Sequence, residues 1–233
     1  MPLRFAFALI VVLAVVSPAR AGEQSERPAR APTVPAMAQD TDFPKLARSA
    51  GTPEIPGLKI VYLAPLGDPA EAPWKNIILH QTEGPAGSAA ALARQQASNP
   101  KKRGVTLWVE TDGTAYWATP ESVVTTHGDG ANRNDNKYIP NLMTYRQVVA
   151  ANSIGVEFVG NYPDVRKPPT AEQFATALVL VRFLQERYGI PPERVYAHNW
   201  VDYKDHRYCE ACELAERVRA QGYVPQVSTL TPR

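Results

Sequence analysis

The chain has 233 residues, of which 44% are hydrophobic and 21% charged, values of an ordinary globular protein that exclude a disordered or fibrous one. Its 25 basic and 23 acidic residues give a formal net charge of +2, too little to support nucleic-acid binding through bulk charge. Proline is the outlier: its 22 residues are about 9% of the chain, nearly twice the ~5% average, and half of them precede Trp74.

Residues 1–21 read as a secretory signal. Arg4 supplies the positive start, Phe5 to Val16 is an uninterrupted apolar run, and Ala19-Arg20-Ala21 matches a small-residue cleavage site. The run falls short of the ~20 residues of a membrane span, and no cysteine follows it to carry a lipid, so no stable membrane anchor is expected. Cleavage before Gly22 removes Arg4 and Arg20 and no acid, leaving a formally neutral chain that is periplasmic or secreted. Residues 22–56 mix Pro, Ala, Glu, Arg and Ser without a sustained period of 2.0 or 3.6. Such a segment cannot bury enough apolar surface to offset its own ordering, and it is expected to be a flexible tether.

A folded domain is expected over 57–224, with 225–233 as a tail. Leu58 to Ala64 and Asn76 to Leu79 are β-rich runs separated by a Pro/Gly/Asp loop. Ser88 to Ser98 is an Ala-rich helix closed by Asn99-Pro100. Val105 to Glu110 and Thr114 to Ala118 flank Asp112-Gly113, a hairpin signal. After a polar stretch, 128–151, carrying Tyr138, Tyr145 and Arg146, Ser153 to Val159 forms another strand. Thr170 opens the clearest helix, with Gln173 completing a capping box and Gly189 and Pro191 ending it. Val195 to Ala197 is a short buried strand, and Cys209 to Gln221 a final helix stopped by Gly222. The expected class is α/β: a mixed sheet of about five to six strands covered by helices.

Two of the four histidines occupy equivalent positions. His80 directly follows Ile77-Ile78-Leu79, and His198 directly follows Val195-Tyr196-Ala197. A residue at a strand end projects from the sheet rim while the strand holds its backbone rigid, which suits a metal ligand. In the strand Ser153 to Val159, alternation puts Ser153, Gly155, Glu157 and Val159 on one face and Ile154, Val156 and Phe158 on the other. Glu157 is its only ionisable residue, with Gly155 leaving room beside it.

These segments resemble the zinc-dependent N-acetylmuramoyl-L-alanine amidases, which share their fold with the peptidoglycan recognition proteins. Asn76 to Thr82 is similar to that family's apolar strand ending in His-x-Thr, and His127-Gly128 to its mid-domain histidine loop. Asn152 to Gly160 resembles its Ser-Ile-Gly-apolar-Glu strand, and Ala197-His198-Asn199 the site of its second histidine ligand. The resemblance runs in order from Asn76 to Ala215. It implies a Zn²⁺ held by His80 and His198, Glu157 as the base for a bound water, and His127 and Lys204 as stabilisers of the developing oxyanion. The substrate it implies is peptidoglycan or a muropeptide, cut at the amide between N-acetylmuramic acid and L-alanine.

The third ligand departs from the family pattern, which has Lys or Arg, one residue, Asp or Cys, then Pro-Gly; no Pro-Gly follows His198. Aligning Arg207-Tyr208-Cys209 with that pattern makes Cys209 the ligand. Aligning Lys204-Asp205-His206 makes it His206, with Asp205 a third candidate. Cys209 and Cys212 also form a C-x-x-C, which can be a disulfide or a redox pair. A disulfide would transfer the ligand role to His206. Three functions stay open: a zinc amidase, a non-catalytic peptidoglycan-binding module on the same fold, and a thiol oxidoreductase.

Overall fold

The run Ile77-Ile78-Leu79 has no polar side chain with which to meet water, so it belongs in the middle of a sheet. The computed structural model, which describes residues 52–131, 139–202 and 209–221, has it there. The signal segment 1–21, residues 22–51 of the expected tether, Tyr138, Lys204, Asp205, His206 and the tail 225–233 lie outside the described residues.

Among the described residues six strands form one sheet: β1 (Ile60–Tyr62), β2 (Asn76–Gln81), β3 (Leu107–Val109), β4 (Ala115–Trp117), β5 (Ser153–Phe158) and β6 (Val195–Ala197). Their order is β1-β4-β3-β5-β2-β6. Only β3 and β4, joined by the Asp112-Gly113 turn, are antiparallel; every other pair is parallel. The class is therefore the mixed, helix-covered sheet that the sequence suggests. The longest strands, β2 and β5, pair side by side over six residues each.

Helices cover both faces. Leu79, Leu107, Val109, Val156 and Phe158 join Phe174, Ala177, Leu180 and Leu184 of α2 (Ala171–Tyr188) and Leu214 and Val218 of α4 (Cys212–Gln221) in one buried cluster. Trp108, pointing the opposite way from Leu107 and Val109, packs with Val105, Ala118 and Val159 against Ala89 and Ala93 of α1 (Ala89–Ser98). Beyond the sheet, the Glu121 carboxylate is 1% exposed and accepts from the Arg187 guanidinium and the Tyr188 hydroxyl, tying the end of α2 to the loop after β4. Among the described residues no helix is long and apolar enough to cross a membrane.

The strands are shorter than the sequence suggests. Ladder pairing covers only 60–62 of the run 58–64 and 107–109 of the run 105–110; β1 lies at the sheet edge and its one partner, β4, is three residues long. Packing also begins before Gly57: Ile55 is buried and the Pro53 carbonyl accepts from the Tyr62 hydroxyl at 2.9 Å. A four-residue helix, α3 (His198–Val201), follows β6 directly and was not apparent from periodicity. The last helix starts at Cys212, not Cys209, since Ala211 takes the left-handed conformation with φ of +60°.

The α2 terminus follows its sequence signals closely. The Thr170 hydroxyl accepts from the Gln173 amide at 3.0 Å, the Gln173 side chain accepts from the Thr170 amide at 3.1 Å, and Gly189 ends the helix in the left-handed region. The same hydroxyl donates to the Thr111 carbonyl at 2.7 Å, so the cap also fixes α2 to the β3–β4 turn. Thr170→Ala removes both bonds. Urea denaturation should show a loss of about 1–2 kcal/mol, the upper part of the range for N-cap removal.

Candidate metal and catalytic centre

The centre is assembled from the ends of three adjacent parallel strands. β2 sits between β5 and β6, with His80 opposite Glu157 of β5 and Leu79 opposite Ala197 of β6. Register partners on parallel strands project from the same face, so His80 and Glu157 rise together. His198, the first residue of α3, falls next to His80, and their ring centroids are 4.2 Å apart. His127 closes the group, its ring edge-on to His80 at 5.1 Å.

His127 also explains Gly155. A Cβ on Gly155 would stand 2.9 Å from His127 Nδ1 and 2.8 Å from Val105 Cγ1. The glycine gap on the Glu157 face thus accommodates the His127 ring.

Hydrogen bonds fix the tautomers. His127 Nε2 lies 3.0 Å from the Ser153 carbonyl, which only accepts, so Nε2 carries the proton and donates. Burial, together with the nearby His198, lowers the His127 pKa to about 4 despite the Ser153 bond. The ring is therefore neutral near pH 7, and its Nδ1 accepts from His80 Nε2 at 3.0 Å. Burial and the charge of His198 hold His80 well below its usual pKa, against the opposing pull of Glu210. A neutral His80 that donates from Nε2 must present a lone pair at Nδ1.

That lone pair faces another acceptor. His80 Nδ1 is 3.5 Å from Glu210 Oε1, and Glu210 Oε2 is 3.0 Å from His198 Nδ1. The outer nitrogen of His198, Nε2, lies 2.8 Å from Asp202, one helical turn away on the same segment. Asp202 in turn holds Asp129 by a hydrogen bond that raises the Asp129 pKa. Burial opposes the charge on Glu210, but the hydrogen bond and charge of His198 outweigh it and keep the carboxyl well below its usual range. The Gln81 amide adds a donor at 3.3 Å.

Among the described residues, His80, His198 and Glu210 are the group whose ligand atoms converge, all within 4.8 Å of one another and all buried. Two imidazoles and a carboxylate are a donor set that zinc takes in hydrolytic sites, where a fourth position is left for water. Each histidine has its outer nitrogen engaged, His80 by His127 and His198 by Asp202, the arrangement that orients metal-binding imidazoles. The residues present fit a zinc ion.

The expectation for Cys209 needs correction. Its sulfur is joined to Cys212 in a disulfide, so it has no thiolate to offer. The alternative ligands His206 and Asp205 lie outside the described residues. Glu210, one residue from Cys209, was missed because the family pattern directs attention to Cys or Asp. The available signal was a single acid enclosed by the two cysteines immediately before a helix. His127 also differs from expectation: with Nε2 on Ser153 and Nδ1 on His80, neither nitrogen is left to donate to an oxyanion.

A cleft of about 220 Å³ opens over this group, lined by His80, His127, Glu157, His198 and Glu210, with Arg103 at its rim. Arg103 was not foreseen. Its loop is held by Gln96, which donates to the Pro100 and Lys102 carbonyls, and by a bridge to Thr126. The 128–151 stretch is pinned at its ends, Ala150 to Gly128 and Arg146 to Gly130, both at 2.9 Å. Tyr145 stacks with the Arg146 guanidinium, whose carbon is 5.2 Å from the ring centre.

The Amidase_2 family profile, described as N-acetylmuramoyl-L-alanine amidase, matches residues 70–212, well over half of the chain and every member of the cluster. The chain belongs to this amidase family. Among solved structures it is similar to the N-acetylmuramoyl-L-alanine amidase LysC from Clostridium intestinale, with 19% identity and a TM-score of 0.48 over 73% of this chain and 97% of that one. A mutant endolysin from Bacillus subtilis gives 23% identity and a TM-score of 0.46 over 70% and 97%. Among curated proteins no relative matches the sequence.

Gly155→Ala tests the packing behind His80. The added methyl must displace His127 or Val105, so urea denaturation should show a loss of about 1–3 kcal/mol, as for overpacked cores. Metal affinity should fall by about tenfold, the lower end for loss of an outer-shell partner, in a metal titration of the same protein.

Proposed function

We propose that this amidase-family chain hydrolyses the amide joining the lactyl group of N-acetylmuramic acid to L-alanine in bacterial peptidoglycan, with one zinc held by His80, His198 and Glu210. The observation that carries this reading is the lone pair of His80 Nδ1 turned toward the buried Glu210 carboxylate, two acceptors that a cation between them would reconcile. Bound there, zinc supplies a Lewis acid for the scissile carbonyl and brings the pKa of a water to around 7.

The protein's own groups account for the rest. Glu157, held by strand register beside His80 and lining the cleft, takes the proton from the attacking water and returns it to the leaving amine. His127 acts behind the site, fixing the His80 tautomer. Arg103 offers a cation at the rim for an anionic group of the substrate, and Lys204 remains a proposed oxyanion partner. The alternative is a non-catalytic binding module on the same fold; a third candidate ligand in Glu210 favours the enzyme. The signal pattern of residues 1–21 supports export to the periplasm or medium, an oxidising setting that suits the Cys209–Cys212 bond.

Purified chain should contain about one zinc, as a single three-ligand site requires, and should release free stem peptide from isolated cell wall. Glu157→Gln keeps shape and hydrogen bonding but cannot accept a proton, so zinc content should hold while kcat falls by about 10²- to 10⁴-fold and KM changes little. Glu210→Ala should lose the zinc itself. Full turnover in Glu157→Gln would remove it as the base; zinc retained in Glu210→Ala would remove it as a ligand. For export, intact-mass measurement of protein recovered outside the cytoplasm should give an N-terminus at Gly22.

A further inference from the structure

We infer that the Cys209–Cys212 disulfide is the positioning element for Glu210, so that the oxidation state of this pair sets how tightly the His80–His198–Glu210 cluster holds its metal. The inference rests on the metal reading proposed above and adds a control on that site.

The three candidate ligands are not held alike. His80 is part of β2 and His198 follows β6 directly, so the sheet sets both backbones. Glu210 belongs to no strand or helix. It lies in the turn that the disulfide closes, with only Glu210 and Ala211 between the two cysteines. Within that turn Ala211 and Cys212 are buried in the core. Its closing backbone bond, Cys212 amide to Cys209 carbonyl, is long at 3.4 Å. Ala211 has φ of +60°, a conformation that a residue with a Cβ rarely adopts unless its surroundings impose it. The disulfide is the covalent constraint that, with the burial of Ala211, imposes it, and Glu210 points inward while α4 begins at Cys212.

The bond is also within reach of solvent. Cys209 is exposed and lines a second cleft of about 240 Å³ with Gln81, Lys167 and Glu213, while Cys212 is buried. Reduction is a two-electron thiol exchange. Two molecules of a monothiol such as glutathione attack in turn, the Cys209–Cys212 bond breaks, both cysteines leave as thiols carrying the two protons, and the monothiol becomes its own disulfide. Freed of the bond, the turn relaxes and Glu210 loses its fixed approach to His80 and His198.

Two measurements on the full chain test this, neither relying on activity. First, zinc titration of Cys209→Ser/Cys212→Ser against the oxidised wild type should give affinity weaker by about 10- to 100-fold, the range for losing a group that orients a ligand. Circular dichroism should confirm that the variant is folded. Second, wild-type protein is equilibrated in glutathione redox buffers at fixed free zinc. Linkage requires zinc to protect the disulfide by the same factor by which the disulfide strengthens zinc binding. The reduction midpoint should move to more negative potential by about 30 mV per tenfold, and Glu210→Gln should abolish that movement. This second measurement decides the matter if the double variant does not fold. A midpoint indifferent to zinc, a midpoint shifted the other way because the freed thiols take the metal, or equal zinc affinity in a folded double variant would each overturn the inference while leaving the metal site standing. A wild-type chain that binds no zinc in either state overturns the metal reading and this inference with it.

Discussion

A carboxylate buried beside two imidazoles is the constraint around which this domain is organised. Removing a charge from water costs several kcal/mol even after relaxation, and Glu210, 3% exposed, must recover that from its neighbours. Its donors are the Gln81 amide at the end of β2 and His198 at the start of α3. Each of these is fixed by the sheet and not by a loop. The outer contacts follow the same logic, because His127 and Asp202 engage the nitrogens that face away from Glu210.

The sheet supplies precision cheaply in residues. Because β2 and β5 pair in parallel, placing His80 opposite Glu157 needs no dedicated loop, only the correct register. A slip by one residue would turn Glu157 into the α2-facing core and Phe158 toward the cleft. The apolar pattern of Ile154, Val156 and Phe158, all fully buried, resists that slip. The residues that make the core therefore also set the chemistry.

Much of this was legible in the sequence. The strand-end positions of His80 and His198 follow from two short apolar runs, and the α2 cap from Thr170, Gln173 and Gly189, because these signals are local. Glu157 was legible as the one charge in an apolar strand. What escaped was decided at long range. Nothing near His127 tells that its nitrogens are both taken, since its partners are 47 and 26 residues away in the chain. The role of Gly155 depends on that same distant ring. Glu210 was hidden by its neighbours: a cysteine beside it satisfied the expected ligand type, and only the pairing of Cys209 with Cys212 withdraws that sulfur.

The β2–β5 pairing has a further consequence, in time. Residues 76–81 must find residues 153–158 across the whole α1, β3–β4 and His127 region. Parallel contacts of such sequence separation are entropically expensive to close and tend to form slowly. Until they form, His80 and Glu157 are not neighbours, and until β6 docks against β2, His198 is absent as well. The cluster is thus a product of the completed sheet and cannot nucleate it. A metal ion meeting the unfolded chain finds scattered histidines and two cysteines, so the order of events that favours the native site is folding first and loading afterwards.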